Sequence, residues 1–313
     1  MYKFNLWALT LVLVLAFSSL LIGSSSLSMD ADSLDLLLIS RIPRTAALIL
    51  SGTSLAVAGV IMQQLARNKF VEPTTTGTVE WATLGMLLML IFFPQASVFY
   101  KLLVACLMSV VGTAIFLLML RKISLRSDFL VPLIGIMYAG VMAAIITFIA
   151  YRTELLQSIW IWVQGDFSMI LRGRYELLWL AVGLSVLAYF IADKLTLAGL
   201  GKQVSINLGL NYNLTFTLGL LLVALITGVS VVNCGVIPFL GLVVPNMVSL
   251  LVGDNLRRSL PLVALFGAAL VLFCDIIARL INYPYEIPIA TVMGVIGSGI
   301  FLYLLLGNRR YAH

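Results

Sequence analysis

The chain is a succession of apolar runs separated by short polar stretches. The runs fall near residues 4–22, 41–66, 78–93, 98–121, 128–151, 174–192, 214–233, 236–252, 260–281 and 287–306. A helix needs about 20 consecutive apolar residues to cross the hydrocarbon core of a bilayer. The pattern therefore predicts an all-α polytopic membrane protein with about ten transmembrane helices, the third and eighth of them short. The first run follows Lys3 and precedes "GSSSLS", a layout shared with signal peptides. Leu6 to Ile22 is longer than a usual signal core, and the chain continues as membrane helices, so a retained helix is expected. No polar stretch is long enough to fold separately, so residues 1–313 are expected to form a single transmembrane domain.

Composition strengthens this picture. Hydrophobic residues make up 62% of the 313 and charged residues 10%, against about 25% charged in a soluble domain. The net charge of +6 would suggest nucleic acid only if it were clustered, and it is scattered. Scattered Lys and Arg report topology instead. Ten spans place both termini on one side, together with Lys3, Arg67, Lys69, Arg121, Lys122, Arg126, Lys194, Lys202, Arg257, Arg258, Arg309 and Arg310. The other side holds Arg41, Arg44, Lys101, Arg152, Arg172, Arg174 and Arg279. Twelve against seven places both termini in the cytoplasm by the positive-inside rule. The acidic loop "SMDADSLD" then lies outside.

The chemistry of an enzyme is missing. Cys106, Cys234 and Cys274 sit singly inside apolar runs, and the one histidine is His313. Neither supplies a metal-ligand spacing, a triad or a proton relay. No GxxxxGK[ST] occurs, and "GLGKQ" is too short to cradle phosphates, so this chain cannot hydrolyse ATP alone. "GVIGSG" at 294–299 lies inside an apolar run with no strand before it. Close helix packing through small residues is the expectation there.

One local pattern invites a functional reading. "SRIPRTAAL" (40–48) places Arg41 and Arg44 on one face at the start of a helix, with Ser40 as the expected N-cap. Cations in a first turn oppose the helix dipole, which points to an external anionic partner. The alternative is that both snorkel to lipid headgroups. Arg279, at the same end of the ninth span, would join them in one basic patch. Asp275 lies four residues before Arg279, and Glu286 opens the tenth span in "YEIP". An internal pair and a helix-start acid give both carboxylates structural roles.

Several motifs occur together in order. They are "RIPRTAALILSGTSLAVAGVIMQQLARNKFVEPTTTGT", "INLGLN" (206–211), "PFLGLVVPNMVSLLVGDNLRRSLP" (238–261) and "CDIIARLINYPYEIPIA" (274–290). Over residues 36–306 the chain resembles the FecCD-type permeases of bacterial ABC importers, which carry iron–siderophore complexes, haem or vitamin B12. "IMQQLARNKFVEPTT", "QGDFSMILRGRYELL" and "GVIGSGIFLYLLL" resemble the subgroup that serves catecholate siderophores.

The resemblance implies a multi-pass protein of the bacterial inner (cytoplasmic) membrane that is no enzyme and binds no cofactor. Its partners would be a second permease subunit (a heterodimer, with a homodimer as the alternative), two ATPase subunits that use ATP and Mg, a periplasmic or lipid-anchored substrate-binding protein, and the ferric siderophore. Arg41, Arg44 and Arg279 match the positions that meet acidic residues of the binding protein. The loop 195–213 matches the coupling element seated in the ATPase, through Gly201, Gln203, Val204, Ile206, Asn207, Leu208 and Gly209. Relatives usually carry acidic residues and alanine where this chain has Lys202 to Ser205. Asn68 and Phe70 match the pair that narrows the cytoplasmic end of the path. The competing functions are haem or cobalamin import by the same machinery and an ion-coupled carrier, for which Asp275 and Glu286 are the candidate acids.

Overall fold

The computed structural model describes residues 2–22, 35, 37–122, 130–173 and 175–307. Residues 28–34 of the acidic loop lie outside the described residues, as do Arg126, Arg174, Arg309, Arg310 and His313. Among the described residues the regular structure is helical, apart from an isolated bridge between Gln164 and Val236. The main helices are α1 (Tyr2–Leu21), α2 (Ile42–Ala66), α3 (Thr78–Phe92), α4 (Val98–Lys122), α5 (Leu130–Arg152) and α6 (Leu156–Val163). They continue with α7 (Leu178–Phe190), α8 (Ala192–Gly199), α9 (Lys202–Asn207), α10 (Tyr212–Cys234), α11 (Leu240–Val252), α12 (Leu256–Leu280) and α13 (Ile289–Gly307).

Each of the ten expected runs contains a helix, but not each helix has the length of a span. Among the described residues seven helices are long and apolar enough to cross a membrane, or eight if the pair 175–190 and 192–199, bent by 69°, counts as one span. The expected third and eighth spans are α3 and α11, of 15 and 13 residues. At about 1.5 Å per residue each is roughly 20 Å long, short of a hydrocarbon core of about 30 Å. Apolarity alone does not reveal this, because a half-length helix buried in a bundle reads like a short span. Ser40 also departs from expectation. It lies in a π-helical turn, Leu37–Arg41, and the N-cap position of α2 is Arg41, with no side-chain cap.

Helix α2 runs through the centre, buried over most of its length, while α1, α5 and α13 turn Trp7, Phe148 and Leu306 outward. Lipid-facing helices gain nothing from hiding such residues, so the interior is decided by how closely backbones approach. Gly52 of α2 meets Gly267 of α12, and Gly59 meets Gly241 of α11; a Cβ built on Gly59 would lie 2.2 Å from the Gly241 carbonyl oxygen. That carbonyl is special. Pro245, four residues on, has no N–H to give it, and Gln63 Nε2 of α2 donates to it instead at 3.3 Å. The same packing does not extend along "GVIGSG". Gly297 sits against Phe239, but Gly294 and Gly299 face open space, because only one side of α13 touches its neighbours.

Gly59→Ala should therefore cost about 1–3 kcal/mol by overpacking, since the obstructing atoms are backbone and cannot swing away. Thermal unfolding of the purified transporter checks this, with Gly294→Ala, on the open face, expected to be silent.

Candidate functional site

The chain brings its sequence-flagged residues to two opposite ends of the bundle. At the first end meet the C-terminus of α1, the start of α2, the last turn of α12 and the segment leading into α13. Asp275 of α12 is fully buried and takes Arg44 on one oxygen, from Nη2 at 2.7 Å and Nε at 3.2 Å. Its other oxygen accepts from Nη2 of Arg279, one helical turn on. Arg44 Nη1 donates to Glu286 at 2.6 Å. Three arginines and two acidic side chains thus meet at this end.

Arg41 and Arg279 do not form an outward basic patch. Both are buried, and both turn to the end of α1. Arg41 Nη1 donates to the Leu20 carbonyl at 3.0 Å, and Arg279 Nη1 to the carbonyls of Ser19 and Ile22 at 3.0 and 2.7 Å. Arg279 Nη2 also donates to Ser19 Oγ. The last carbonyls of a helix lack intrahelical partners and carry partial negative charge. Arg41, which opposes the dipole of α2, thus complements that of α1, and Arg279 does the same from the last turn of α12. Arg44, 12% exposed, is the arginine of the three that the network leaves nearest the surface.

At the other end the loop after α2 folds back. Arg67 adopts the left-handed conformation, and Asn68, buried, accepts the Phe70 N–H at 2.8 Å through its side chain. Lys69 pairs with Asp254 at 3.0 Å and is held from behind by Asn246, which donates to its carbonyl at 2.8 Å. Phe70 packs edge-on against Phe301 of α13, centroids 6.0 Å apart. Asn68 therefore shapes the loop, and Phe70 is the member that reaches another helix.

Beside this loop, α8 and α9 form a tight elbow. Gly201 (φ +101°) and Gly209 (φ +79°) take conformations that L side chains resist. Gln203, Val204, Ile206, Asn207 and Leu208 are exposed, as is Leu200. Four apolar side chains thus stand outward with amides between them, on an element that polar solvent alone would not favour.

Two residues that sequence reading passed over hold these features. Ser205 is buried at the elbow and donates to the carbonyls of Leu197 and Gly201, at 2.7 and 2.6 Å. Glu72 is buried at the N-terminus of the half-length α11, where it accepts the Phe239 N–H at 3.1 Å. A carboxylate there satisfies an orphan donor and faces the positive end of the helix. The available signal was "EPTT", which the chain uses as a capping box around Pro73; the second role depends on a helix 167 residues away.

The comparisons with known proteins agree with one another. The FecCD transport family matches residues 7–307. The petrobactin import system permease protein YclN of Bacillus subtilis (strain 168) is 46% identical over 309 residues, covering 96% of this chain and 98% of that protein. The ferric-anguibactin transport system permease protein FatD of Vibrio anguillarum is 40% identical, covering 87% and 86%. A solved structure of a metal-chelate type ABC transporter, in an inward-facing conformation, superposes with a TM-score of 0.85 at 25% identity, covering 98% of this chain and all of that one.

Proposed function

The chain belongs to the FecCD transport family, and from that premise we propose that it carries a ferric siderophore of the catecholate type inward as one permease subunit of an ATP-driven importer. The observation that carries the siderophore reading is the likeness, over most of both chains, to permeases named for petrobactin and anguibactin. The protein is a multi-pass membrane permease, here placed in the bacterial inner membrane, with ATP and Mg used by a separate ATPase.

In this reading the Arg44 end faces outward and the Asn68 end faces the cytoplasm, as the twelve-to-seven distribution of basic residues favours. A substrate-binding protein brings carboxylates to Arg44, whose planar fork suits them. The elbow of α8 and α9 sits in the ATPase through Leu200, Val204, Ile206 and Leu208. A second permease closes the path, which Asn68 and Phe70 narrow at its inner end. Substrate affinity resides in the binding protein, so a wide neutral path suffices here.

The test is uptake of a radio-iron catecholate siderophore by vesicles that contain this chain, its companion permease, the ATPase and the binding protein. Uptake should require both hydrolysable ATP and the binding protein. ATP hydrolysis stimulated by the binding protein without iron uptake would move the substrate to haem or cobalamin. No response to ATP would overturn the importer reading in favour of an ion-coupled carrier.

A further inference from the structure

The Arg44 guanidinium is held on one side and already occupied on the other. Its Nε and Nη2 are fixed on Asp275, fully buried. Its remaining donor, Nη1, carries Glu286 at 2.6 Å, and Glu286 is the most exposed member of the cluster, its side chain 29% accessible. Arg41 and Arg279 turn Nη1 to the α1 carbonyls, and Arg279 Nη2 lies on Asp275 and Ser19. A carboxylate approaching from outside therefore meets a like charge before it meets an arginine. Glu286 stands in an exposed segment, with Tyr283 and Tyr285 turned outward. That segment is tied back by Ile287 N–H to the Ala278 carbonyl at 3.2 Å.

We propose that Glu286 is an internal stand-in for the docking protein's carboxylate, which displaces it from Arg44 Nη1 when the two proteins engage. The proposal rests on the docking reading given above. A part-exposed ion pair is weak enough to exchange, whereas a fully buried one is costly to break. Asp275 thus keeps the fork aimed while Glu286 leaves. Because one carboxylate replaces another, Arg44 is paired before and after, and the exchange releases the segment that starts α13. The repulsion by Glu286 slows encounter with an acidic surface, since charges near an interface act chiefly on association rate.

The experiment measures association of the binding protein with the assembled transporter in nanodiscs, for the parent and for Glu286→Gln, Glu286→Asp, Arg44→Ala and Arg44→Ala/Glu286→Gln. Glu286→Gln should associate about two- to five-fold faster, the scale of a lost surface-type ion pair. Glu286→Asp, which keeps the charge but retracts it, should gain less, and it serves if the Gln variant fails to fold. In the Arg44→Ala background the gain should fall, because no guanidinium is left to free and only the relief of repulsion remains. An unchanged or slower rate in both Glu286 variants, with Arg44→Ala still slowed, overturns the exchange and leaves the docking reading standing. An Arg44→Ala transporter that associates normally overturns both.

Discussion

Replacing Asp275 with Asn should destabilise the protein by about 3–5 kcal/mol, the usual cost of removing one partner from a buried ion pair. The carboxylate is fully buried and shared between Arg44 and Arg279, so its loss leaves Arg279 without a counter-charge and Arg44 with Glu286 alone. Asn preserves the shape, which separates charge from packing. The consequence should spread beyond the pair, because Arg279 also ties α12 to the end of α1. Thermal unfolding in detergent, with the monodisperse fraction on size exclusion, checks this. Adding Arg279→Met to Asp275→Asn should return part of the loss, since residues in one network do not act additively. A loss under about 1 kcal/mol for Asp275→Asn would mean that the pair behaves like a solvated surface bridge.

The second large effect lies at the opposite end and on function instead of stability. Ile206→Asp with Leu208→Asp should leave folding within about 0.5 kcal/mol of the parent, as exposed substitutions usually do. Both side chains are more than half exposed, and neither contributes to the Ser205 hydrogen bonds that hold the elbow. Coupling should nonetheless collapse. With the elbow seated in the ATPase as proposed, two carboxylates there would remove interface anchors worth about 2 kcal/mol or more, which is roughly thirty-fold in affinity. Co-purification of the ATPase and stimulation of its hydrolysis by the binding protein are the two readouts. Normal coupling in a stable double variant would remove the elbow from the ATPase interface.

Some of the site was legible in advance and some was not, for reasons that individual residues show. The pairing of Asp275 with Arg279 follows from a four-residue spacing on one helix and was readable. The outward patch of Arg41, Arg44 and Arg279 was not the arrangement found. Spacing gives the face of a helix but not what lies against it, and here the end of α1 supplies carbonyls that draw Arg41 and Arg279 inward. The two glycine turns of the elbow were readable from Gly201 and Gly209, whereas Ser205 was read as a departure from a familiar pattern rather than as the pin of the bend. Glu72 was invisible as a site residue because its partner, the Phe239 N–H, is distant in sequence.

By itself, the sequence determined the solvent and the class. Ten apolar runs and so few charges leave a helical membrane protein as the way to satisfy the backbone, and motif order identified the family. The third and eighth runs were already readable as short; only the tertiary structure decided which glycines touch and which of three arginines keeps a donor near the surface. Those outcomes depend on contacts between residues far apart in the chain, whose energies hydropathy and local spacing do not encode.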